Sequence, residues 1–478
     1  MYAYSQYSKL RADLEAGVVT CRALVEQCLQ ACETHKNLNA FLELYAEEAL
    51  QRADELDSQF RAGRNPGRMA GMVIALKDVI CHKDHEVSAS SKILKGFKSL
   101  YNATVTERML REGAIIIGRT NCDEFAMGAS NENSAFGPVL NAVDPTRVPG
   151  GSSGGSAVAV QTGMCHAALG SDTGGSIRQP AAFTGTVGLK PTYGRISRWG
   201  LLAYASSFDQ IGPMTRTVAD AALLLEVIAG PDEHDATCAA KPVDAYASAL
   251  NSSEMEPLRI AYLGDALEHP GLDPEIRERS FALFETLCSK GHQVESVSFP
   301  YLDYMVPCYY VLTTAEASSN LSRYAGLTYG YRSASAHDLE STFKRSRSEG
   351  FGPEVKRRIM LGTFVLSSDF YDAYYSKAQK VRRVIREKTT ALLEQYDFLI
   401  LPTTSTPPFR LGEKADNPIA MYLADLFTVQ ANLAGNPAIS IPAGTNSAGL
   451  PFGMQVMAAD FKEAAMLRFS EYLSGLLS

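Results

Sequence analysis

Two glycine-rich segments, 150–156 and 172–176, constrain this 478-residue chain more than any other feature of its sequence. They read Gly-Gly-Ser-Ser-Gly-Gly-Ser and Asp-Thr-Gly-Gly-Ser, and together they contain six glycines and five hydroxyl residues. Glycine destabilises the interior of helices and strands, so these segments are typical of tight turns that bring the backbone close to a small group. Such loops can cradle a phosphate with their N–H groups, or they can present a serine beside an oxyanion hole.

The phosphate-binding alternative fits the sequence poorly. A P-loop requires a lysine directly after its last glycine, and no lysine occurs between Gly150 and Gly188. A dinucleotide-binding loop requires G-x-G-x-x-G, whereas the first segment has paired glycines. The spacing also differs from the G-x-S-x-G elbow of α/β-hydrolases. Only His166 is close in sequence, and its apolar neighbours are typical of an interior histidine rather than of a triad base.

A candidate base for a nucleophilic serine is Lys77, which follows the apolar run 72–76. Five consecutive apolar residues predict a strand buried on both faces. A lysine at the end of such a strand would be partly desolvated, which lowers its pKa. Its neutral amine could then act as a general base at about pH 7–8. The residue pattern alone leaves open the alternative that Lys77 extends into solvent.

Lys77, Ser152 and Ser176, with the glycine-rich segments around them, resemble the signature of the amidase signature family. The intervals also agree with that family, since 77 to 152 is 75 residues and 152 to 176 is 24 residues. The resemblance runs from about residue 5 to the C-terminus. It implies an α/β fold in which a mixed central β-sheet is sandwiched between α-helical layers.

We expect one domain over 1–478. Within it, the resemblance implies a helical amino-terminal segment at about 1–65 and a signature core at about 66–232. A C-terminal half at about 254–478 would complete the sheet and the substrate pocket, after a polar, alanine-containing stretch at 233–253.

The hydrophobic patterning predicts a series of helices and strands. Predicted helices lie within 5–34 and 45–60 and at 104–112, 156–163, 218–229 and 371–395. Predicted strands lie at 72–77, 114–118, 167–171, 259–263, 294–299, 398–402 and 438–442. The strand–helix–strand order after residue 72 indicates parallel pairing with helices on the sheet faces.

The family resemblance also implies a role for each signature residue. Ser176 would be the nucleophile, and Ser152, which follows a cis peptide bond in the family, would relay the proton to Lys77. Backbone N–H groups would form the oxyanion hole, contributed by Thr173, Gly174, Gly175 and Ser176. Three further residues would support these loops, namely Ser153, Asp172 and Arg178.

Composition excludes several other classes of protein. The formal net charge is −8 and the sequence pI is about 5.6, which argues against a dedicated nucleic-acid-binding protein and hence against DNA as a partner. No apolar run approaches the length of a transmembrane helix, and residues 1–8 do not resemble a signal peptide. Nine scattered cysteines without a Cys-x-x-Cys pair indicate reduced thiols. We therefore expect a cytoplasmic protein without membrane association and without a bound metal.

Segments in the C-terminal half resemble a narrower branch of the family, the A-type subunits of bacterial tRNA-dependent glutamyl and aspartyl amidotransferases. The matching segments are 309–311, 352–362, 371–375 and 421–428. In that branch an arginine and an aspartate bind the α-carboxylate and α-ammonium of glutamine, with a tyrosine nearby. By position these roles fall to Arg358, Asp425 and Tyr309, with Arg357 as the competitor for the carboxylate.

The function implied by this resemblance is glutamine hydrolysis that supplies ammonia for converting Glu-tRNA(Gln) to Gln-tRNA(Gln). A second acceptor would be Asp-tRNA(Asn). The expected partners are a B subunit, which would hold ATP and magnesium and most of the tRNA contacts, and a small C subunit that completes a heterotrimer. No cofactor is expected in this chain. The alternatives are a stand-alone amidase for small carboxamides, with an apolar acyl pocket, and a non-catalytic scaffold protein within a complex.

Overall fold

Eleven β-strands of one mixed sheet organise the chain, as seen in a computed structural model that describes residues 4–250, 255–414 and 421–477. The strands are β1 Phe41–Leu44, β2 Val73–Lys77, β3 Ile115–Thr120, β4 Ala167–Asp172, β5 Val187–Lys190, β6 Gln210–Thr215, β7 Arg259–Leu263, β8 Gln293–Val297, β9 Phe398–Pro402, β10 Ala438–Thr445 and β11 Pro451–Met457. Their order across the sheet is β1-β3-β2-β4-β6-β5-β10-β11-β9-β7-β8. Strands from both halves of the chain therefore share one sheet.

The described helices cover this sheet. They are α1 Tyr7–Glu15, α2 Cys21–Thr34, α3 Ala46–Arg61, α4 Thr104–Arg111, α5 Gly154–Thr162, α6 Arg178–Thr184, α7 Val218–Ile228, α8 Gly264–Leu267, α9 Pro274–Ser289, α10 Leu302–Asn320, α11 Leu339–Gly350, α12 Pro353–Val365, α13 Lys377–Gln395, α14 Val429–Ala434 and α15 Glu463–Leu477. Helix α5 packs on β2 and β4, α6 packs on β5, β10 and β11, and α15 packs on β10 and β11. The predicted mixed α/β architecture is confirmed.

Strand pairing places Lys77 and Asp172 at the same end of two neighbouring strands. Strand β2 is parallel to both β3 and β4, whereas β6 is antiparallel to β4. All residues of β2 and β4 are buried, as expected for strands with helices on both faces. Because β2 and β4 run in the same direction, Lys77 and Asp172 at their carboxyl ends face the same loops.

The predicted strands and helices all correspond to elements of the fold, with boundaries that differ by a few residues. The largest difference is at 371–395, where residues Tyr371–Ser376 form a π-helical turn before α13 begins. The predicted partnership of the strands near 259 and 294 is confirmed, since β7 and β8 pair in parallel. Residues 251–253 of the polar stretch lie outside the described residues, and the single-domain assignment stays a prediction.

Candidate active site

Lys77 lies at the centre of a cluster of hydroxyl groups. Its Nζ atom donates to Ser152 Oγ at 2.6 Å, to Ser153 Oγ at 2.9 Å and to Ser171 Oγ at 2.9 Å. The first glycine-rich segment and the strand-end lysine are thus brought together as the sequence predicts. The alternative that Lys77 extends into solvent is wrong, because its side chain is fully buried.

Burial has a direct electrostatic consequence for this amine. Removing the ammonium from water lowers the pKa of Lys77 to about 8, although nearby acidic groups that include Asp123 and Asp172 oppose part of the effect. A primary amine with a pKa near 8 can exchange a proton with a hydroxyl group at close to neutral pH. The cluster is therefore suited to proton transfer through serine hydroxyls.

The loop that carries Ser152 is held by its main chain. The Gly151–Ser152 peptide bond is cis. The N–H of Gly151 donates to Gln179 Oε1 at 2.9 Å, and the N–H of Asp123 donates to the carbonyl of Ser152 at 3.1 Å. A Cβ atom on Gly151 would overlap the Asp123 carboxylate, so a residue without a side chain is required there.

Ser176 lies in the loop between β4 and α6, with 8% of its surface exposed. The carbonyl of Ser176 accepts a hydrogen bond from the N–H of Ser153 at 3.2 Å. This contact ties the Ser176 loop to the segment that contains Ser152. The main chain of Ser176 is therefore hydrogen-bonded to the segment whose serines contact Lys77, and Ser176 itself is buried.

The loop from Thr173 to Ser176 packs too closely for side chains at its glycines. A Cβ atom on Gly174 would lie 2.5 Å from the phenol of Tyr309, and one on Gly175 would overlap Thr428. Gly175 also has a φ of 132°, which disfavours any other residue. The Thr428 hydroxyl donates to the carbonyl of Gly174 at 2.6 Å, which fixes the orientation of that peptide.

One predicted oxyanion donor is already engaged. The N–H of Gly175 donates to Asp172 Oδ1 at 2.9 Å. The hydroxyl of Thr173 donates to Asp209 Oδ1 at 2.7 Å, which anchors the start of the loop from the opposite side. Gly175 is thus a weaker candidate for oxyanion binding than its neighbours, and the other three predicted donors stay a prediction.

Asp172 and Arg178 form a fully buried ion pair beneath this loop, as their predicted supporting role requires. Although burial opposes ionisation, Arg178 and Asn432 hold the pKa of Asp172 at about 2. Arg178 also donates to the Thr428 carbonyl, to Asn432 Oδ1 and to Gln455 Oε1. The Arg178 guanidinium therefore donates its remaining hydrogen bonds to acceptors in the C-terminal half of the chain.

Arg358 projects from α12 into a buried aromatic cage. Its Nε donates to Glu354 Oε1 at 2.8 Å and its Nη1 donates to the Tyr204 hydroxyl at 2.8 Å. The guanidinium carbon lies 5.6 Å, 5.1 Å and 5.6 Å from the ring centroids of Tyr204, Tyr310 and Tyr422. These contacts hold the guanidinium by two of its nitrogen atoms and by its surrounding rings.

The structure distinguishes the two neighbouring arginines. The side chain of Arg358 is 4% exposed, whereas that of Arg357 is 50% exposed and pairs with the other carboxylate oxygen of Glu354. A cavity of about 290 Å³ lies beside Arg358, bounded also by Ser130, Lys414 and Tyr422. Arg357 lines this cavity as well, but its side chain is half exposed, whereas Arg358 is buried and is also bound by the buried Tyr204 hydroxyl.

Asp425 is the second predicted substrate-binding group, and it is buried near Arg358. Its Oδ2 accepts a hydrogen bond from the Tyr310 hydroxyl at 3.2 Å. Burial raises the pKa of Asp425 to about 7, with Arg358 opposing the shift. Tyr309 lies against Gly174 of the catalytic loop and meets the ring of Tyr310 edge-on. It therefore contacts the loop, whereas its neighbour contacts Asp425.

Several residues of this site were not singled out from the sequence, namely Asp123, Tyr204, Asp209, Tyr310, Glu354, Tyr422, Thr428, Asn432 and Gln455. For one of them, the sequence contains a spacing that could have identified it. Glu354 precedes Arg358 by four residues, a spacing that on a helix places both on one face and pairs their charges. Tyr310, Tyr422 and Thr428 lie in the matching segments 309–311 and 421–428, but no local spacing distinguishes them or the remaining residues as part of the site.

The described residues contain no group of three or more His, Cys, Asp or Glu side chains arranged to hold a metal ion. His166 is buried, as predicted, and its Nδ1 accepts a hydrogen bond from the N–H of Val73 at 3.1 Å. Burial lowers the pKa of His166 to about 3, and the ring stacks on Tyr4. The histidine is a core residue and not part of the serine–lysine cluster.

The geometry and the sequence signature together define a class of enzyme, and the comparison with known families agrees. The family model described as amidase matches residues 23–467. The chain belongs to the amidase family.

Individual relatives extend this result. The chain is 50% identical over 464 residues to the A-type subunit of the glutamyl-tRNA(Gln) amidotransferase from Chlorobium phaeobacteroides, covering 97% of each protein. It is also 50% identical to the protein of that name from Salinibacter ruber, covering 97% of this chain and 98% of the other. The crystal structure of the corresponding Thermotoga maritima protein superposes with a TM-score of 0.77 at 39% identity, covering 94% of this chain and 92% of the other.

The length and polarity of the helices determine whether any of them could cross a membrane. Across residues 4–250, 255–414 and 421–477, they are too short or too polar to cross a bilayer.

Proposed function

We propose that this chain is the glutamine-hydrolysing subunit of a tRNA-dependent amidotransferase. The observation that carries the proposal is a buried arginine, Arg358, and a buried carboxyl group, Asp425, whose main chain Thr428 links to the loop of Gly174. A zwitterionic amino acid needs one fixed cation and one fixed anion, and both are present. The relatives that match nearly the whole chain at 50% identity carry the name of that subunit.

Ser176 acts as the nucleophile on the carboxamide of glutamine. As its Oγ attacks the carbonyl carbon, its proton passes to Ser152, and Ser152 gives its own proton to the neutral amine of Lys77. The 2.6 Å contact between Lys77 and Ser152 and the lowered pKa of Lys77 support this relay.

Collapse of the tetrahedral intermediate breaks the carbon–nitrogen bond. The proton held by Lys77 returns through Ser152 to the leaving nitrogen, which departs as ammonia and leaves an acyl ester on Ser176. Water then attacks the ester by the same proton route and releases glutamate. The N–H groups of Thr173, Gly174 and Ser176 are the proposed donors to the oxyanion, and one such donor is worth about 3–4 kcal/mol.

Arg358 binds the α-carboxylate of glutamine, and Asp425 binds its α-ammonium group. Glu354 and Tyr204 use Nε and Nη1 of Arg358, which leaves Nη2 for the substrate. Tyr309 supports the loop behind the reacting carbonyl through its contact with Gly174. The side-chain carboxamide of a substrate held in this way would extend toward Ser176.

The proposed role includes partners that act on the released ammonia. A B subunit would bind ATP, magnesium and the misacylated Glu-tRNA(Gln), or Asp-tRNA(Asn), and a C subunit would complete the heterotrimer. This chain itself would then need no cofactor. The protein would act in the cytoplasm, where aminoacyl-tRNAs are made and used.

The stand-alone amidase alternative requires an apolar acyl pocket. The cavity beside the site is instead lined by Arg358, Arg357, Glu132 and Lys414, together with polar Ser130. A small aliphatic or aryl amide carries no charge that could interact with these groups. The glutamine-donor role therefore accounts for more of the site.

The decisive experiment measures ammonia release from glutamine by the chain alone and by the chain with candidate B and C subunits, ATP and Glu-tRNA(Gln). We expect strong stimulation in the complex and its loss in Arg358→Ala. Hydrolysis of simple amides by the isolated chain at a higher kcat/KM than that for glutamine, with glutamine hydrolysis unaffected by Arg358→Ala, would instead establish a stand-alone amidase. An unaffected biological role in Ser176→Ala would support the scaffold alternative.

A further inference from the structure

A short turn next to the catalytic loop has an unusual backbone. Residues Glu124–Ala126 form a tight turn, in which Phe125 and Ala126 have φ values of 51° and 59°. Two successive side-chain-bearing residues in the left-handed region are uncommon, most of all for a bulky phenylalanine. Such a conformation persists only where the surrounding contacts determine it, and the acidic residues Asp123 and Glu124 supply such contacts.

The first of them, Asp123, holds the loop of the proposed relay serine. Its carboxylate accepts hydrogen bonds from the N–H groups of Asn131 at 2.9 Å and Asn133 at 3.1 Å. Its own N–H donates to the carbonyl of Ser152 at 3.1 Å. The same carboxylate lies close against Gly151, so the serine loop packs directly on Asp123.

The second, Glu124, reaches the helix that carries Arg358. Its buried carboxylate accepts hydrogen bonds from the N–H of Gly352 at 2.8 Å and from the hydroxyl of Ser91. Gly352 is the residue immediately before α12. A Cβ atom on Gly352 would overlap the carboxylate of Glu124, although its φ of −73° suits any residue.

Glu124 therefore supplies an acceptor at the start of α12. The N–H of Gly352 stands at the helix start, where only an acceptor outside the helix can satisfy it, and a carboxylate there also interacts favourably with the helix dipole. Arg358 follows five residues after Pro353 on the same rigid helix. A shift of the first turn would move the guanidinium relative to Ser152 and Ser176.

We propose that Glu124 is a positioning residue that fixes the Arg358 helix against the catalytic loop and thereby sets the affinity for amides bearing an α-carboxylate. The proposal rests on the proposed function, because it assigns Arg358 to the substrate carboxylate. Glu124 itself touches neither the substrate nor the reacting atoms. It acts through Gly352 and α12, while the adjacent Asp123 acts on the serine loop.

The test compares Glu124→Gln and Gly352→Ala in the full-length chain assembled with its B and C partners. One variant removes the carboxylate charge, and the other displaces the carboxylate from the helix start. We expect KM for glutamine to rise about five- to tenfold with kcat changed less than about twofold. Hydrolysis of butanamide, which lacks both charged groups, should keep its kcat/KM.

Glu349→Gln is the matched control. Glu349 lines the same cavity of about 530 Å³ as Glu124, but its carboxylate accepts hydrogen bonds from Tyr331 and Ser333, away from α12. This variant should keep the wild-type KM for glutamine. An equal loss of activity on both substrates in Glu124→Gln, or an equal rise in KM in Glu349→Gln, would overturn the positioning role.

A double substitution tests the same role without using butanamide. If Glu124 acts through Arg358, Glu124→Gln should lower kcat/KM for glutamine in the wild-type background but not in the Arg358→Ala background. The same fold-loss in both backgrounds would overturn the proposal while leaving the glutamine-hydrolysing role intact. No glutamine use by the unsubstituted complex would instead overturn the proposed function, and the positioning role with it.

Discussion

The serine–lysine cluster and the Arg358 cage belong to one site but are held in different ways. Lys77 contacts three hydroxyls from the single stretch 152–171, and main-chain hydrogen bonds and glycines shape the loops around it. Arg358 is held by side chains from separate parts of the chain, Tyr204, Tyr310 and Tyr422, and by Glu354 on its own helix.

This difference separates two tasks. Chemistry at the carbonyl depends on backbone shape, which tolerates few residue types at the glycines. We propose that recognition of the rest of the substrate depends instead on packed side chains from separate parts of the chain. Substitutions in the first region should therefore affect every amide, whereas substitutions in the second should affect only amides that carry the amino-acid groups.

The largest effect is expected from Ser176→Ala. Removal of the proposed nucleophile should lower kcat by about 10⁴-fold or more for glutamine and for butanamide alike, because the step that forms the acyl ester is lost. Ammonia release under saturating substrate measures this. Ser298, which is exposed and lies just after β8, offers the control Ser298→Ala. Full activity of Ser176→Ala would exclude Ser176 as the nucleophile.

Arg358→Ala should separate the two regions most clearly. We expect kcat/KM for glutamine to fall about 10²-fold or more, since truncating one member of a buried charged pair costs about 2–5 kcal/mol. The kcat/KM for butanamide should change little. The neighbouring Arg357→Ala is the matched control, because that side chain is half exposed. A larger effect at Arg357 would transfer the carboxylate-binding role to it.

The pH dependence should also differ between substrates. Burial lowers the pKa of Lys77 to about 8 and raises that of Asp425 to about 7. Only the neutral amine accepts a proton, so kcat/KM for butanamide should rise about tenfold per pH unit up to about pH 8 and then level off. For glutamine the slope should steepen below about pH 7, where Asp425 is protonated and no longer binds an ammonium group.

Steady-state rates for both substrates across about pH 6 to 9 would measure these profiles, with circular dichroism at each pH to verify that the fold is retained. Asp425→Asn should remove the additional slope for glutamine and leave the butanamide profile unchanged. Identical profiles for the two substrates in the unsubstituted protein would contradict the assignment of Asp425 to the ammonium group.

The smallest effect is expected from Tyr310→Phe. The hydroxyl donates one hydrogen bond of 3.2 Å to Asp425, and losing a single bond of this kind costs about 1 kcal/mol, or about fivefold in KM for glutamine. The ring, and with it the contact to the Arg358 guanidinium, is retained. A change in butanamide hydrolysis of the same size would place Tyr310 in the catalytic region instead.

Much of the catalytic region could be predicted because its determinants are local. The apolar run before Lys77 predicts a buried strand, and the paired glycines predict tight turns at both serine segments. The engagement of the Gly175 N–H by Asp172 could not be predicted, because it depends on how the loop closes over the ion pair with Arg178. The catalytic roles themselves stay predictions until the substitutions are made.

The sequence by itself determined the strand-end lysine and the order of the serine segments, because periodicity and glycine placement act over a few residues, and the family was recognisable from the resemblance of these segments to a known signature. Only the tertiary structure distinguished Arg358 from Arg357 and brought Tyr204 and Tyr310 around one guanidinium. Those contacts join residues far apart in the chain, and burial within one sheet-and-helix core decides which of them meet. The link from Glu124 to Gly352 is of the same kind, since no local pattern connects a turn after β3 to the start of α12.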